Sequence, residues 1–237
     1  MDVLNRRITF GGEVIPAYIG SAPTIIRATR KITTTPVPGS NREIITMEDA
    51  WEPYDQPYEL FVGDGTPDNI QDKIKQVAER LYKTGWQVLL DDYEPGIFRL
   101  AYYKGPFDVE NRFTRLGKFE VTFRCRAERF LLQGSNPVAV ASGKTLTNPT
   151  RYNARPLIHI EGSGNGTITV GSQTVTITGM TDYLNLDSET QNCYRLASEN
   201  KNDLMEGAFP VIPPGNSTVT FTGGITAATI TPRYWTI

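Results

Sequence analysis

One stretch of this 237-residue chain reads as a long helix, and nearly everything on either side reads as strand and turn. Ile70, Ile74, Val77, Ala78 and Leu81 recur at helical spacing and form one apolar stripe. Asp72, Lys73, Lys75, Gln76 and Glu79 fall largely on the other side. Asp68 stands at the N-cap and Gln71 three residues later completes a capping-box pattern. Gly85 stands where a left-handed C-terminal cap is wanted, because glycine reaches positive φ without steric cost. The spacing predicts an amphipathic helix over about 68–84, lying with one face on a sheet. A chain with one such helix draws its core from strands, so the expected class is mostly β with a single helix.

The chain is long enough to bury a core without cross-links. Its formal net charge of −2 gives no general attraction to nucleic acid or to an anionic membrane surface. No apolar run approaches the roughly 18 residues of a membrane span. The start, Met1 to Ile8, lacks the apolar centre of a signal peptide, so export by that route is not indicated. Cys125 and Cys193 lie far apart without metal-type neighbours and read as reduced, partly buried thiols.

Residues 3 to 30 read as β, broken by Gly11-Gly12 and Ser21-Ala22-Pro23. Arg27, Arg30 and Lys31 alternate with smaller residues, which suggests a strand with one wet face rather than a nucleic-acid patch. Pro36 to Arg42 is rich in turn residues, and Glu43 to Met47 reads as a returning strand. The stretch over 36–57 is expected to project as an arm. Trp51, Tyr54 and Tyr58 in its aromatic–proline part are candidate contact residues, since large aromatics anchor interfaces. Gly63 to Pro67 turns into the helix. After the helix, Trp86 to Leu90 is a buried-type strand. Asp91 to Gly96 is a turn, and Ile97 to Tyr103 runs back with Phe98, Leu100 and Tyr102 on one face. Asp91, Asp92 and Glu94 read as a solvated loop, because no spaced cation-binding motif surrounds them. Over 113–130, Phe119, Val121, Phe123 and Cys125 point inward in strict alternation.

Composition shifts near residue 133. The expected division is a domain over 1–133, a linker over 134–155 and a Thr- and Gly-rich domain over 156–237. Many short strands there argue for a β-sandwich, with Gly162-Ser163-Gly164-Asn165-Gly166 as one of the turns between them.

Catalytic chemistry is thin. His159 is the one histidine, between Ile158 and Ile160 in a strand pattern, with no nucleophile-elbow motif. Asp187 and Glu189 sit on one turn, which suits holding backbone N–H groups better than facing each other across a cleft. No phosphate-binding loop is present, and no metal or cofactor site is expected. Asn165-Gly166-Thr167 and Asn216-Ser217-Thr218 read as turns rather than glycosylation sites.

Several motifs taken together resemble the distal tail proteins of siphophages that infect Gram-positive bacteria. They are Asn148-Pro149-Thr150, Ala154-Arg155-Pro156-Leu157-Ile158, Tyr183 to Glu189, Phe209 to Ser217 and Ile230 to Trp235. Arg115 to Cys125 is similar in the first half, with Ala127 where that family usually has proline, and Val37 to Arg42 is a looser match to its glycine-rich loop. The resemblance covers most of the chain and implies an α+β N-terminal domain and a C-terminal sandwich that is galectin-like or carbohydrate-module-like. It further implies a non-enzymatic homohexameric ring at the virion tail tip, made in the bacterial host cytoplasm. Its implied partners are the tail tube protein, tape measure protein, tail-associated baseplate protein and receptor-binding proteins, with the 36–57 arm clasping the neighbouring subunit. The alternative is a module for host-surface saccharide, for which Tyr183, Tyr194, Tyr234 and Trp235 are the available aromatics.

Overall fold

The computed structural model describes residues 6–63, 70–106, 109–113 and 116–237, with backbone alone for 109–113 and 116. The expected cap Asp68, the Gly65–Pro67 turn, Val3–Asn5 and Arg115 lie outside the described residues. The chain forms two compact units, Met1–Arg129 with Ile237 and Phe130–Thr236.

The first unit contains β1 (Ile8–Phe10), β2 (Glu13–Val14), β3 (Tyr18–Ile19), β4 (Arg30–Pro36), β5 (Glu43–Trp51) and β6 (Tyr54–Val62). Then come α1 (Ile70–Leu81), β7 (Gln87–Asp91), β8 (Ile97–Tyr103), β9 (Val109–Phe113) and β10 (Leu116–Leu131), whose last two residues belong to the second unit. The main sheet has the order β2-β1-β7-β8-β10-β6-β3, with β9 also on β10. Alternation builds it: Tyr54, Gln56, Tyr58, Leu60 and Val62 of β6 are buried, and so are Phe119, Val121, Phe123 and Cys125 of β10. Helix α1 joins the same core through Ile70, Val77 and Leu81, with Ile74 at its edge, as the stripe predicts. It is shorter than 68–84 at its C-terminal end. Gly85 does take positive φ (+72°), but four residues past Leu81, in the turn that leads to β7. Arg80 and Lys83 instead tie that end to the first hairpin, donating to Val14 O (2.6 Å) and Gly11 O (3.0 Å). The first β stretch is also sparser than expected. Residues 20–29 form no strand; buried Gln56 pins them, donating to Thr24 O at 2.8 Å and accepting from Ile26 N at 3.2 Å.

The second unit holds β11 (Val138–Val140), β12 (Lys144–Asn148), β13 (Leu157–Val170), β14 (Gln173–Asp187), β15 (Asn192–Tyr194), β16 (Met205–Glu206) and β17 (Gly215–Thr231). The sheet order is β11-β17-β13-β14-β15, with β12 also on β17 and β16 also on β14. Two expectations are corrected here. The 134–155 segment is no linker: β11 and β12 pair with the two halves of β17, because its Val and Thr residues complete that sheet. The glycine run over 162–166 is no turn between strands either. β13 passes straight through it, with register shifts against both β14 and β17. Such bulged corners let one strand serve two faces. Ile158 and Ile160 before the corner share one core with Ile168 and Val170 after it. The folded sheet is thereby the expected sandwich.

The corner depends on the missing side chains. A Cβ on Gly224 would lie 1.8 Å from Ser163 O, and one on Gly162 1.9 Å from Gly224 O. Gly164 takes a φ of +83° with open space around it. Gly224→Ala is therefore expected to cost more than about 3 kcal/mol, from backbone collision, and Gly164→Ala only about 1 kcal/mol, from conformational strain. Urea unfolding of the two variants checks the ranking.

Candidate functional site

Among the described residues no catalytic constellation assembles. His159 is half-buried on a sheet face, with Nδ1 2.9 Å from Asn185 Oδ1 and Nε2 3.4 Å from Glu161. Asp187 accepts from Glu189 N (3.0 Å), the turn-holding part expected of it, and also from Arg233 Nη1 at 2.5 Å. Burial opposes its charge, but the Arg233 and backbone hydrogen bonds win and hold its carboxyl below the ordinary value. Both cysteines are free and buried, which pushes the Cys125 thiol up to about 12 and the Cys193 thiol up to about 11. Among the described residues no group of three or more His, Cys, Asp or Glu is placed to hold a metal ion. Nor is any helix among them long and apolar enough to cross a membrane. The aromatics available to a saccharide are mostly engaged: Tyr234 is buried, Trp235 stacks on Tyr152 at 4.4 Å, and Arg195 lies 5.5 Å over Tyr183.

The feature that stands out is a hairpin. Among the described residues β4 and β5 pair only with each other, in a two-stranded sheet separate from the main one. Gly39 takes positive φ (+74°) in the connecting turn, where Ser40 N donates to Val37 O at 3.1 Å. Partners directly across a ladder share a face. Ile32 opposite Met47 and Thr34 opposite Ile45 therefore lie on one side; Thr33 opposite Thr46 and Thr35 opposite Ile44 lie on the other. The apolar members are wide open to water: Ile32 50%, Ile44 58%, Ile45 57% and Met47 58% exposed. An isolated hairpin is marginally stable in water, and exposed isoleucines add nothing until something covers them.

The projecting element is thus Arg30–Trp51, not 36–57. Pro53, which has no N–H for a ladder, separates it from β6. Of the three aromatics expected at a contact, Trp51 stands at the foot of the hairpin, partly buried against the core, with Arg30 over its ring at 5.9 Å. Tyr54 and Tyr58 are corrected. They are 6% and 1% exposed, because β6 alternation turns them into the core, so neither offers a contact surface.

What they do instead is hold charge. Arg99 on β8 and Arg129 on β10 are buried. Arg99 Nη1 donates to Asp91 at 2.8 Å, Arg99 Nε to Tyr54 Oη at 3.2 Å, and Tyr58 Oη to Asp91 at 2.7 Å. Arg99 and Arg129 both reach the Glu94 carboxylate, with Arg27 3.7 Å away. Asp91 Oδ1 also accepts the backbone N–H groups of Tyr93 (2.9 Å) and Glu94 (3.0 Å). Burial pushes the Tyr54 hydroxyl up to about 12 and raises Tyr58 as well. Asp91 and Glu94 are therefore not a solvated loop but the anionic half of a buried network.

Arg99 on the inner face turns its neighbours outward. Leu100 and Tyr102 occupy the outer face of β8, where Leu100 pairs with Val88 and the rings of Tyr102 and Trp86 meet at 5.1 Å. Trp86 is 41% exposed, Tyr102 38% and Val88 37%. Arg126 borders this patch, over the Trp86 ring at 5.2 Å. This patch and the hairpin are both exposed apolar surfaces of the first unit.

The fold has a known counterpart. The chain is similar to the Dit protein of phage SPP1, described as a paradigm of the hub adsorption apparatus in phages infecting Gram-positive bacteria. The TM-score is 0.73 at 11% identity, over 95% of this chain and 98% of that one. It is also similar to a chain of the phage P2 baseplate in its activated conformation with calcium. There the TM-score is 0.52 at 8% identity, over 96% of this chain and 97% of that one. No protein-family profile and no curated protein sequence matches the chain. The mostly β, one-helix fold read from the sequence is the Dit fold.

Removing one partner of a buried ion network strands the others. Arg99→Met is expected to destabilise the first unit by about 3–5 kcal/mol. Arg124→Met, whose partner Asp55 is at the surface, should cost less than about 1 kcal/mol. Urea unfolding separates the two. Asp187, with its lowered carboxyl, adds stability above the ordinary carboxylate value of about 4. That contribution is lost as pH falls through the lowered folded value. In Asp187→Asn the acid side of the second unit's stability profile is expected to flatten, as read by urea unfolding between about pH 7 and about pH 2.

Proposed function

We propose that this chain is a structural hub protein of a phage tail tip, a ring of identical copies joining the tail tube to the baseplate. The observation that carries the reading is the end-to-end fold likeness to SPP1 Dit, a hub adsorption protein. The hairpin supports it. A ring needs one patch to meet a different patch on the next copy, and a projecting element with open isoleucines is suited to reach across. The copies number six in this reading, and the ring sits in the virion. Its other neighbours are the tube, tape measure, tail-associated and receptor-binding proteins. The role is non-enzymatic. The engaged rings of Tyr183, Tyr234 and Trp235 favour assembly over saccharide binding.

Light scattering on the purified chain tests it. The expected solution mass is six times the 26.4 kDa chain. Replacing residues 33–46 with a short Gly-Asn turn is expected to leave a folded monomer. A single-chain mass for the intact protein at every concentration would overturn the self-assembling ring.

A further inference from the structure

We propose that the Ile32, Ile45 and Met47 face of the hairpin docks, in a neighbouring copy of this chain, on the Trp86, Val88 and Tyr102 patch outside β7 and β8. The inference rests on the ring reading and names the two surfaces that meet.

Three observations converge on it. First, Val88, Leu89 and Leu90 put apolar side chains on both faces of β7, yet among the described residues only the inner face is closed: Leu89 is buried while Val88 is 37% exposed. Something outside the chain belongs on the other face. Second, the hairpin presents its own open apolar face, so neither surface is satisfied by the other within one copy. Joining them between copies satisfies both. The contact is heterologous, with each copy giving a hairpin and receiving one, which suits a ring and not a two-fold dimer. Third, the borders match in charge. Ladder parity puts exposed Glu43, opposite Pro36, on the same side as Ile45, and Arg126 edges the Trp86 patch. An acid at the tip of one surface and a base at the rim of the other fix the direction of docking.

Site-specific cross-linking tests the pairing on the full chain. Ile45 and Val88 are both exposed, so Ile45→Cys and Val88→Cys leave the core intact, and the native Cys125 and Cys193 are buried away from reagent. With a short bismaleimide, the Ile45→Cys/Val88→Cys double variant is expected to give a covalent ladder of chains. Either single variant should give none, and a Thr46→Cys/Val88→Cys control, on the opposite hairpin face, much less. A six-fold mass without a ladder overturns this docking and leaves the ring standing. Equal ladders from the Ile45 and Thr46 pairs overturn the assignment of the hairpin face. A monomer with no ladder overturns both the docking and the ring.

Discussion

The first unit is organised by the charge it buries. Arg99 and Arg129 have no exposed side-chain surface to speak of, and Asp91 and Glu94 sit against them. Taking such ions out of water costs several kcal/mol each, which only close pairing offsets. The network joins β6, β7, β8 and β10 through side chains as well as through ladders. It also fixes parity. A one-residue slip of β8 would bring Leu100 inward and strand Arg99 outside, leaving Asp91 and Glu94 buried without it. The slip is penalised electrostatically as well as by lost packing. This constraint is what places Leu100 and Tyr102 on the outer face. An apolar surface open to a partner is thus a consequence of how the core is wired.

That wiring explains where the sequence reads true and where it misleads. The α1 stripe and the β10 alternation are pure periodicity, and both elements stand as their patterns say. The β7–β8 hairpin is legible too, but its orientation is not. The pattern puts Phe98, Leu100 and Tyr102 on one face, as they are, but does not say that Arg99 takes the inner one, since an arginine at an interior position is costly unless paired. The partners were in view. Asp91 and Glu94 lie in the turn of the same hairpin, and extending the β10 parity from Phe119 through Cys125 and Ala127 puts Arg129 inside. Two carboxylates beside two inward arginines signal a buried network. Tyr54 and Tyr58 mislead for a related reason: aromatic enrichment marks interfaces and cores alike, and only the alternation with Leu60 and Val62 separates them.

In the second unit the ambiguity lies in glycine. A run such as Gly162 to Gly166 serves equally as a reversal or as a place where two backbones touch. The sequence shows the freedom but not the approach. Here the approach decides, because Gly162 and Gly224 meet backbone to backbone from strands some sixty residues apart. The same blindness makes β11 and β12 look like connecting chain. Their short Val- and Thr-bearing stretches become strands only because each half of β17 offers them an edge.

The two units dispose of their outer surfaces differently, and the difference bears on assembly. Where second-unit strands face water they carry threonine, and the hydroxyls pair across the ladder: Thr167 with Thr222 at 2.7 Å and Thr169 with Thr174 at 2.9 Å. Such a face combines β propensity with a surface that water already satisfies. The hairpin of the first unit has mostly threonine on one side, Thr33, Thr35 and Thr46 with Ile44, but mostly isoleucine and methionine on the other, Ile32, Ile45 and Met47 with Thr34. Strand propensity alone would be met by threonine throughout. Placing Ile32, Ile45 and Met47 on a single side of a hairpin that packs on nothing in its own sheet makes sense only if that side is removed from water after folding. The first unit therefore bears the open apolar faces that the proposed contact between copies would use.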